Sequence, residues 1–151
     1  MRKLMILTAA VTLFAIDGCQ TKKPNMMKIN AGIVTQKLAE SKAFYTNELG
    51  FRVKFENDFY LLLESPQNGG EISFLKPNHP SQQAIFHQEF NGRGVYLTVE
   101  VKDVDKIYKN LKLKNLPFAV DLRDEPWGDR HFAVTDPNGI NIDIVRYSPQ
   151  Q

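Results

Sequence analysis

Cysteine is nearly missing from this 151-residue chain; Cys19 stands alone. A single thiol excludes an intramolecular disulfide and a cluster of thiolate metal ligands. Excess charge is missing too. Nineteen Lys and Arg against seventeen Asp and Glu leave a formal +2, without a basic stripe. Counterion release then offers little driving force, and nucleic acid is not an expected partner. No apolar run reaches the roughly 20 residues of a membrane-spanning helix. Three catalytic devices are also lacking: a G-x-S-x-G elbow, an H-E-x-x-H helix and a phosphate-cradling glycine loop. What remains is a globular composition, 42% apolar and 24% charged, in a length that suits one compact domain.

The first residues are unlike the rest. Arg2 and Lys3 precede an uncharged apolar run from Leu4 to Ile16, which has the length of a signal-peptide core. Ile16-Asp17-Gly18-Cys19 closes the run and resembles a bacterial lipobox. The resemblance implies removal of residues 1–18, a lipidated Cys19, a short tether over 19–27 and a place in the cell envelope, anchored to a membrane by acyl chains. Loss of that segment takes Arg2, Lys3 and Asp17 with it, leaving the charge near +1. The alternative is translation from Met26 or Met27, which makes the protein cytoplasmic.

From Lys28 onward the pattern is strand and helix. Lys28–Thr35 reads as a strand, and Ser41–Leu49 as a helix with Leu38, Phe44 and Leu49 on one stripe and Gly50 as its stop. Strands are expected at Phe51–Glu56, Phe59–Glu64 and Glu71–Leu75, separated by turns at Asn57-Asp58 and Ser65–Gly70. A loop over Lys76–Gly94 carries the apolar Ala84-Ile85-Phe86, which is expected to pack. The order then repeats. Val95–Val101 alternates strictly, Asp103 caps a helix over Val104–Leu113, and strands follow at Phe118–Leu122, Arg130–Thr135 and Ile140–Arg146. Asp136-Pro137-Asn138-Gly139 marks a tight turn. Strand, helix and three strands thus occur twice within 28–147, in modules of about 28–76 and 95–147.

Particular residues sharpen this repeat. Ser41, Phe44-Tyr45 and Leu49-Gly50-Phe51 resemble the S-x-x-FY…LGF opening of a vicinal-oxygen-chelate module. Pro126-Trp127-Gly128, Arg130, Phe132 and Asp136-Pro137-Asn138-Gly139 are similar to the ending of the glyoxalase/bleomycin-resistance branch. The resemblance implies an α+β fold, two βαβββ modules forming a cupped mixed sheet, often as a homodimer. Metal-dependent members hold a divalent ion with His, Gln or Glu on the first and last strands of their modules. Those positions fall here on Asn30, on Tyr96, on Asp143 and on Glu71 or Ser73. Asn30 and Tyr96 are poor ligands for such an ion, so no cofactor is expected. A divalent metal held by His131 with Asp143 and Glu100 is the alternative.

Side chains alternate across a strand. Ile140, Ile142 and Ile144 should pack under a helix, which turns Asp143 into the cup. The same parity brings Tyr96, Glu100 and His131 there, and Asn30 and Glu71 from the first module. With Trp127 these are the expected ligand-binding residues, Trp127 and Phe86 offering flat contact while Tyr96, Glu100 and Asp143 fix polar or cationic groups. His79 and His87 read as solvated loop residues. The expected function is binding of a small molecule in a largely metal-free cavity of a membrane-tethered domain. The alternatives are a metal-dependent lyase, isomerase or dioxygenase of the same superfamily, and a scaffold without ligand; the sequence leaves catalysis open.

Overall fold

The computed structural model describes residues 28–66 and 69–149. The expected signal segment, the tether and Cys19 lie outside the described residues.

Two copies of one motif follow each other. In the first, strand β1 (Ala31–Val34) leads to helix α1 (Leu38–Asn47) and strands β2 (Arg52–Glu56), β3 (Tyr60–Glu64) and β4 (Glu71–Leu75). A single 3₁₀ turn at Ala84–Phe86 interrupts the linker. The second copy comprises β5 (Tyr96–Glu100), α2 (Val104–Leu113), β6 (Phe118–Asp124), β7 (Arg130–Thr135) and β8 (Asn141–Arg146). Each copy makes a four-stranded sheet, ordered β1-β4-β3-β2 and β5-β8-β7-β6. β1 and β5 run parallel to β4 and β8, and the other pairs are antiparallel. The expected α+β fold of paired βαβββ modules is the observed one.

One face of each sheet is buried, as strand parity requires. Ile33, Leu61, Leu63, Ile72 and Phe74 join Tyr45 of α1, while Phe132, Val134, Ile142 and Ile144 join Val104 and Leu111 of α2. These residues form one continuous core across both modules. The isoleucine face of β8 is buried. α2 is capped by Asp103, whose carboxylate accepts from the Lys106 N–H at 3.0 Å. α1 begins three residues before Ser41, the residue that looks like its start in the sequence. Ser41 is instead fully buried inside the helix, and its hydroxyl accepts a hydrogen bond from Asn138 of the other module.

That contact belongs to a lock between the modules. The turn Asp136-Pro137-Asn138-Gly139 does more than reverse the chain; it docks against α1. Asp136 accepts from the N–H groups of Asn138 and Ile140, both at 2.8 Å, and from the Tyr45 hydroxyl at 3.3 Å. Asn138 accepts from the Thr35 hydroxyl at 2.7 Å and donates to Ser41 at 2.9 Å. Burial, with the Asp136 carboxylate beside it, pushes the Tyr45 phenol above the ordinary tyrosine range, so it remains a donor. Gly139 takes φ +84 to close the turn, a conformation that strains other residues.

Candidate ligand-binding site

The face of the first sheet away from α1 borders, together with the linker, an open cavity of about 710 Å³. That volume lies within the range of small-molecule sites, roughly 300–1,000 Å³. Its floor is made of residues that side-chain alternation places on one face: Gly32 and Val34 on β1, Ser73 and Leu75 on β4. Asn30, immediately before β1, lies at the same face. The β2–β3 hairpin supplies Phe55, Asn57, Phe59 and Tyr60, and the linker adds Gln82 and Phe86.

Two local features make this space. A β-bulge between Val53 and Phe55 shifts the register, so that Val53 pairs with Leu63 but Phe55 pairs with Leu62. Leu63 is buried against the core, whereas Leu62 pairs with the cavity residue Ser73. The bulge thereby turns Phe55 away from the core side and into the cavity, the re-aiming that bulges commonly achieve. The second feature is Gly32. Glycine weakens a strand by about 0.5–1 kcal/mol relative to alanine, yet here a side chain would rise from the cavity floor, its Cβ 3.4 Å from the Ser73 hydroxyl. A Gly at this place keeps the cavity deep.

The expected site residues divide between the modules. Asn30 lines the cavity; Glu71, Tyr96, Glu100, Trp127, His131 and Asp143 are not among its lining residues. Glu71 faces Glu64 across the β3–β4 pair, and Lys54, the bulged residue, ion-pairs with both. The hydrogen bond from Lys54 holds the Glu71 carboxyl below its ordinary range. Tyr96 is 69% exposed on β5, and Glu100 is exposed at that strand's end. Trp127 is 68% exposed and donates through its indole N–H to Asp129 at 3.0 Å.

His131 and Asp143 do meet. His131 Nδ1 lies 2.7 Å from Asp143, and its Nε2 lies 3.0 Å from Glu125. Glu125 is paired in turn with Arg123 at 2.8 Å. An imidazolium between two carboxylates donates on both sides. The hydrogen bond to Asp143, aided by Glu125, raises the His131 pKa against a smaller opposing effect of burial.

The sequence pointed to Phe86 in the linker but passed over Phe55, Phe59 and Tyr60. The aromatic density of Phe55-Glu56-Asn57-Asp58-Phe59-Tyr60 was the available signal; strand parity without the bulge sends Phe55 to the wrong side. Ile85, expected to pack, is 80% exposed while Phe86 beside it lines the cavity. The 3₁₀ turn, with its three residues per turn, separates the two.

The donors at the family's ligand positions are neutral or already engaged. Both ring nitrogens of His131 are engaged by carboxylates and Glu71 is engaged by Lys54. Asn30 and Tyr96 are neutral. Among the described residues no group of three or more His, Cys, Asp or Glu is placed to hold a metal.

Comparison with known proteins agrees with this architecture. The model of the Glyoxalase/Bleomycin resistance protein/Dioxygenase superfamily matches residues 28–144. The sequence has no significant match among curated proteins. Among solved structures, a glyoxalase/bleomycin resistance protein/dioxygenase from Nocardioides is 22% identical, covering 88% of this chain and 92% of that one, with TM-score 0.66. A member of the same superfamily from Sphaerobacter thermophilus is 22% identical, covering 81% and 98%, with TM-score 0.65. A bleomycin-binding protein complexed with bleomycin is 15% identical, covering 82% and 100%, with TM-score 0.59. With its paired βαβββ modules and a family match over most of its length, the chain belongs to the glyoxalase/bleomycin resistance protein/dioxygenase superfamily.

Proposed function

We propose that this protein binds a small organic molecule in the cavity of its first module, without a metal ion, and is held at a membrane through Cys19. The observation that carries the reading is the cavity itself. It has the volume of a ligand site, aromatic walls at Phe55, Phe59, Tyr60 and Phe86, and a few polar groups at Asn30, Asn57, Ser73 and Gln82. The solved complex of a bleomycin-binding protein supports a receptor role for this fold. The neutral residues at the family's ligand positions, Asn30 and Tyr96, support metal-free binding. Metal analysis after incubation with Ni, Zn, Fe and Mn should find no stoichiometric ion; stoichiometric uptake refutes that part.

Partnering with a second copy completes the reading. Phe55 is 52% exposed at the cavity mouth, and Tyr96 and Trp127 lie largely in solvent on the second module. Apolar area of this kind is commonly covered by a partner, and a homodimer would bring a second module toward the open side. The anchor is supported by Arg2-Lys3, the Leu4–Ile16 run and Gly18-Cys19. Detergent phase partitioning should follow Cys19 and be lost in Cys19→Ala.

The cavity reading is tested by isothermal titration with a panel of small aromatic compounds, comparing the wild type with Gly32→Leu. At least one compound should bind the wild type and lose tenfold or more in Gly32→Leu, whose side chain fills the floor. Binding that Gly32→Leu leaves unchanged puts the site elsewhere.

A further inference from the structure

The walls of the cavity carry a chemical selection, and this inference rests on the binding reading above. Among the described residues, none of the eleven that line the cavity is charged, although Asp, Glu, Lys and Arg make up 24% of the chain. The sheet that forms the floor does carry charges, gathered at β2, β3 and β4. There Arg52 and Lys54 pair with Glu64 and Glu71, two cations with two carboxylates. The group is neutral as a whole, and none of its members reaches the cavity lining. His79 stacks on the Phe59 ring, with centroids 3.8 Å apart, but does not line the cavity either. An ion that gives up hydration to these walls finds no opposite charge among the described lining residues, which is costly.

The polar groups that do face the cavity suit uncharged partners. Asn57 spends its side-chain oxygen on the N–H groups of Phe59 and Tyr60, at 3.0 and 2.7 Å. Its amide nitrogen is the part left to donate to a ligand, and a carbonyl oxygen is the matching acceptor. Ser73 directs its hydroxyl hydrogen to the Ala31 carbonyl over 3.5 Å, a weak contact that leaves the oxygen to accept. The rings of Phe55 and Tyr60 are tilted at 48° with centroids 6.2 Å apart, so two aromatic faces border the same space.

We propose that the cavity takes an uncharged, planar aromatic molecule bearing carbonyl or amide groups, and rejects the acid and amine forms of the same skeleton. The sequence-based expectation was of polar or cationic groups fixed by Tyr96, Glu100 and Asp143, none of which is among the lining residues of this cavity.

A matched set of ligands tests it: naphthalene-2-carboxamide, naphthalene-2-carboxylate and 2-naphthylmethylammonium, titrated calorimetrically into the full chain at pH 7. The amide should bind at least tenfold more tightly than either ion. Asn57→Asp keeps the oxygen that accepts from Phe59 and Tyr60 but replaces the donating nitrogen with a charged oxygen. In this variant the amide should weaken and the ammonium should gain tenfold or more. An ion that binds the wild type as tightly as the amide overturns the neutral-ligand inference while leaving the cavity a binding site. Failure of all three to bind overturns the aromatic cavity reading as well. The wild-type comparison decides without the variant, should Asn57→Asp not fold.

Discussion

Replacing Asp136 with alanine strikes the lock between the modules, and its cost can be worked from the contacts. Asp136 is 4% exposed, and its carboxylate takes hydrogen bonds from the N–H groups of Asn138 and Ile140 and from the Tyr45 phenol. Asn138 is half-buried and can turn to water, but Ile140 and Tyr45 are buried. In Asp136→Ala two donors are therefore stranded out of water. A stranded buried donor costs about 1–3 kcal/mol, so with two of them the variant should lose about 2–6 kcal/mol. Typical domain stability is about 5–15 kcal/mol, so this is a large share. At this size the loss corresponds to a fall in Tm of about 5–20 °C. Tyr45→Phe removes one donor while the carboxylate keeps its others, and should cost about 1 kcal/mol. Urea denaturation followed by circular dichroism, with unchanged slopes, gives both values and their coupling in the double variant. A loss below about 1 kcal/mol in Asp136→Ala refutes the lock, and so does additivity of the two changes.

Three further outcomes follow from the same contacts. His131 has a raised pKa in the folded chain, so its share of stability is complete below the unfolded value of about 6.5 and is lost as pH rises through the folded value. Tm measured between pH 6 and 9 should fall with pH, and less steeply in His131→Gln; equal slopes contradict the Asp143 and Glu125 clamp. Lys54→Met leaves Glu64 facing Glu71 without its shared cation, so Tm should drop more at low than at high ionic strength, and a salt-independent drop speaks for packing instead. Asp103→Ala removes the α2 cap and should cost about 1 kcal/mol by urea titration, whereas no change would mean that Lys106 N–H finds water at no loss.

Much of the fold was legible because its signals are local or periodic. Ile142 and Ile144 alternate with Asp143, and burial follows that alternation. Parity alone put His131 and Asp143 on one face, and they lie in contact. Where the reading fell short, the cause is non-local. The Asp136–Gly139 turn reads as a hairpin turn because its partners, Thr35, Ser41 and Tyr45, lie 91 to 103 residues away. Ser41 has the residue type of a helix cap and is buried for that distant contact. The bulge at Lys54 leaves no periodic trace, and one inserted residue is enough to send Phe55 to the other face. Glu71 is a plausible ligand by residue type, and its engagement depends on Lys54 coming from another strand.

Where a ligand sits on this protein is measured most directly by an amide-resolved nuclear magnetic resonance titration with naphthalene-2-carboxamide. The predicted result is saturable shifts at the backbone amides of Gly32, Asn57, Tyr60 and Ser73, with Thr98, His131 and Asp143 little changed. Shifts confined to those second-module residues, or none at saturating ligand, would contradict it.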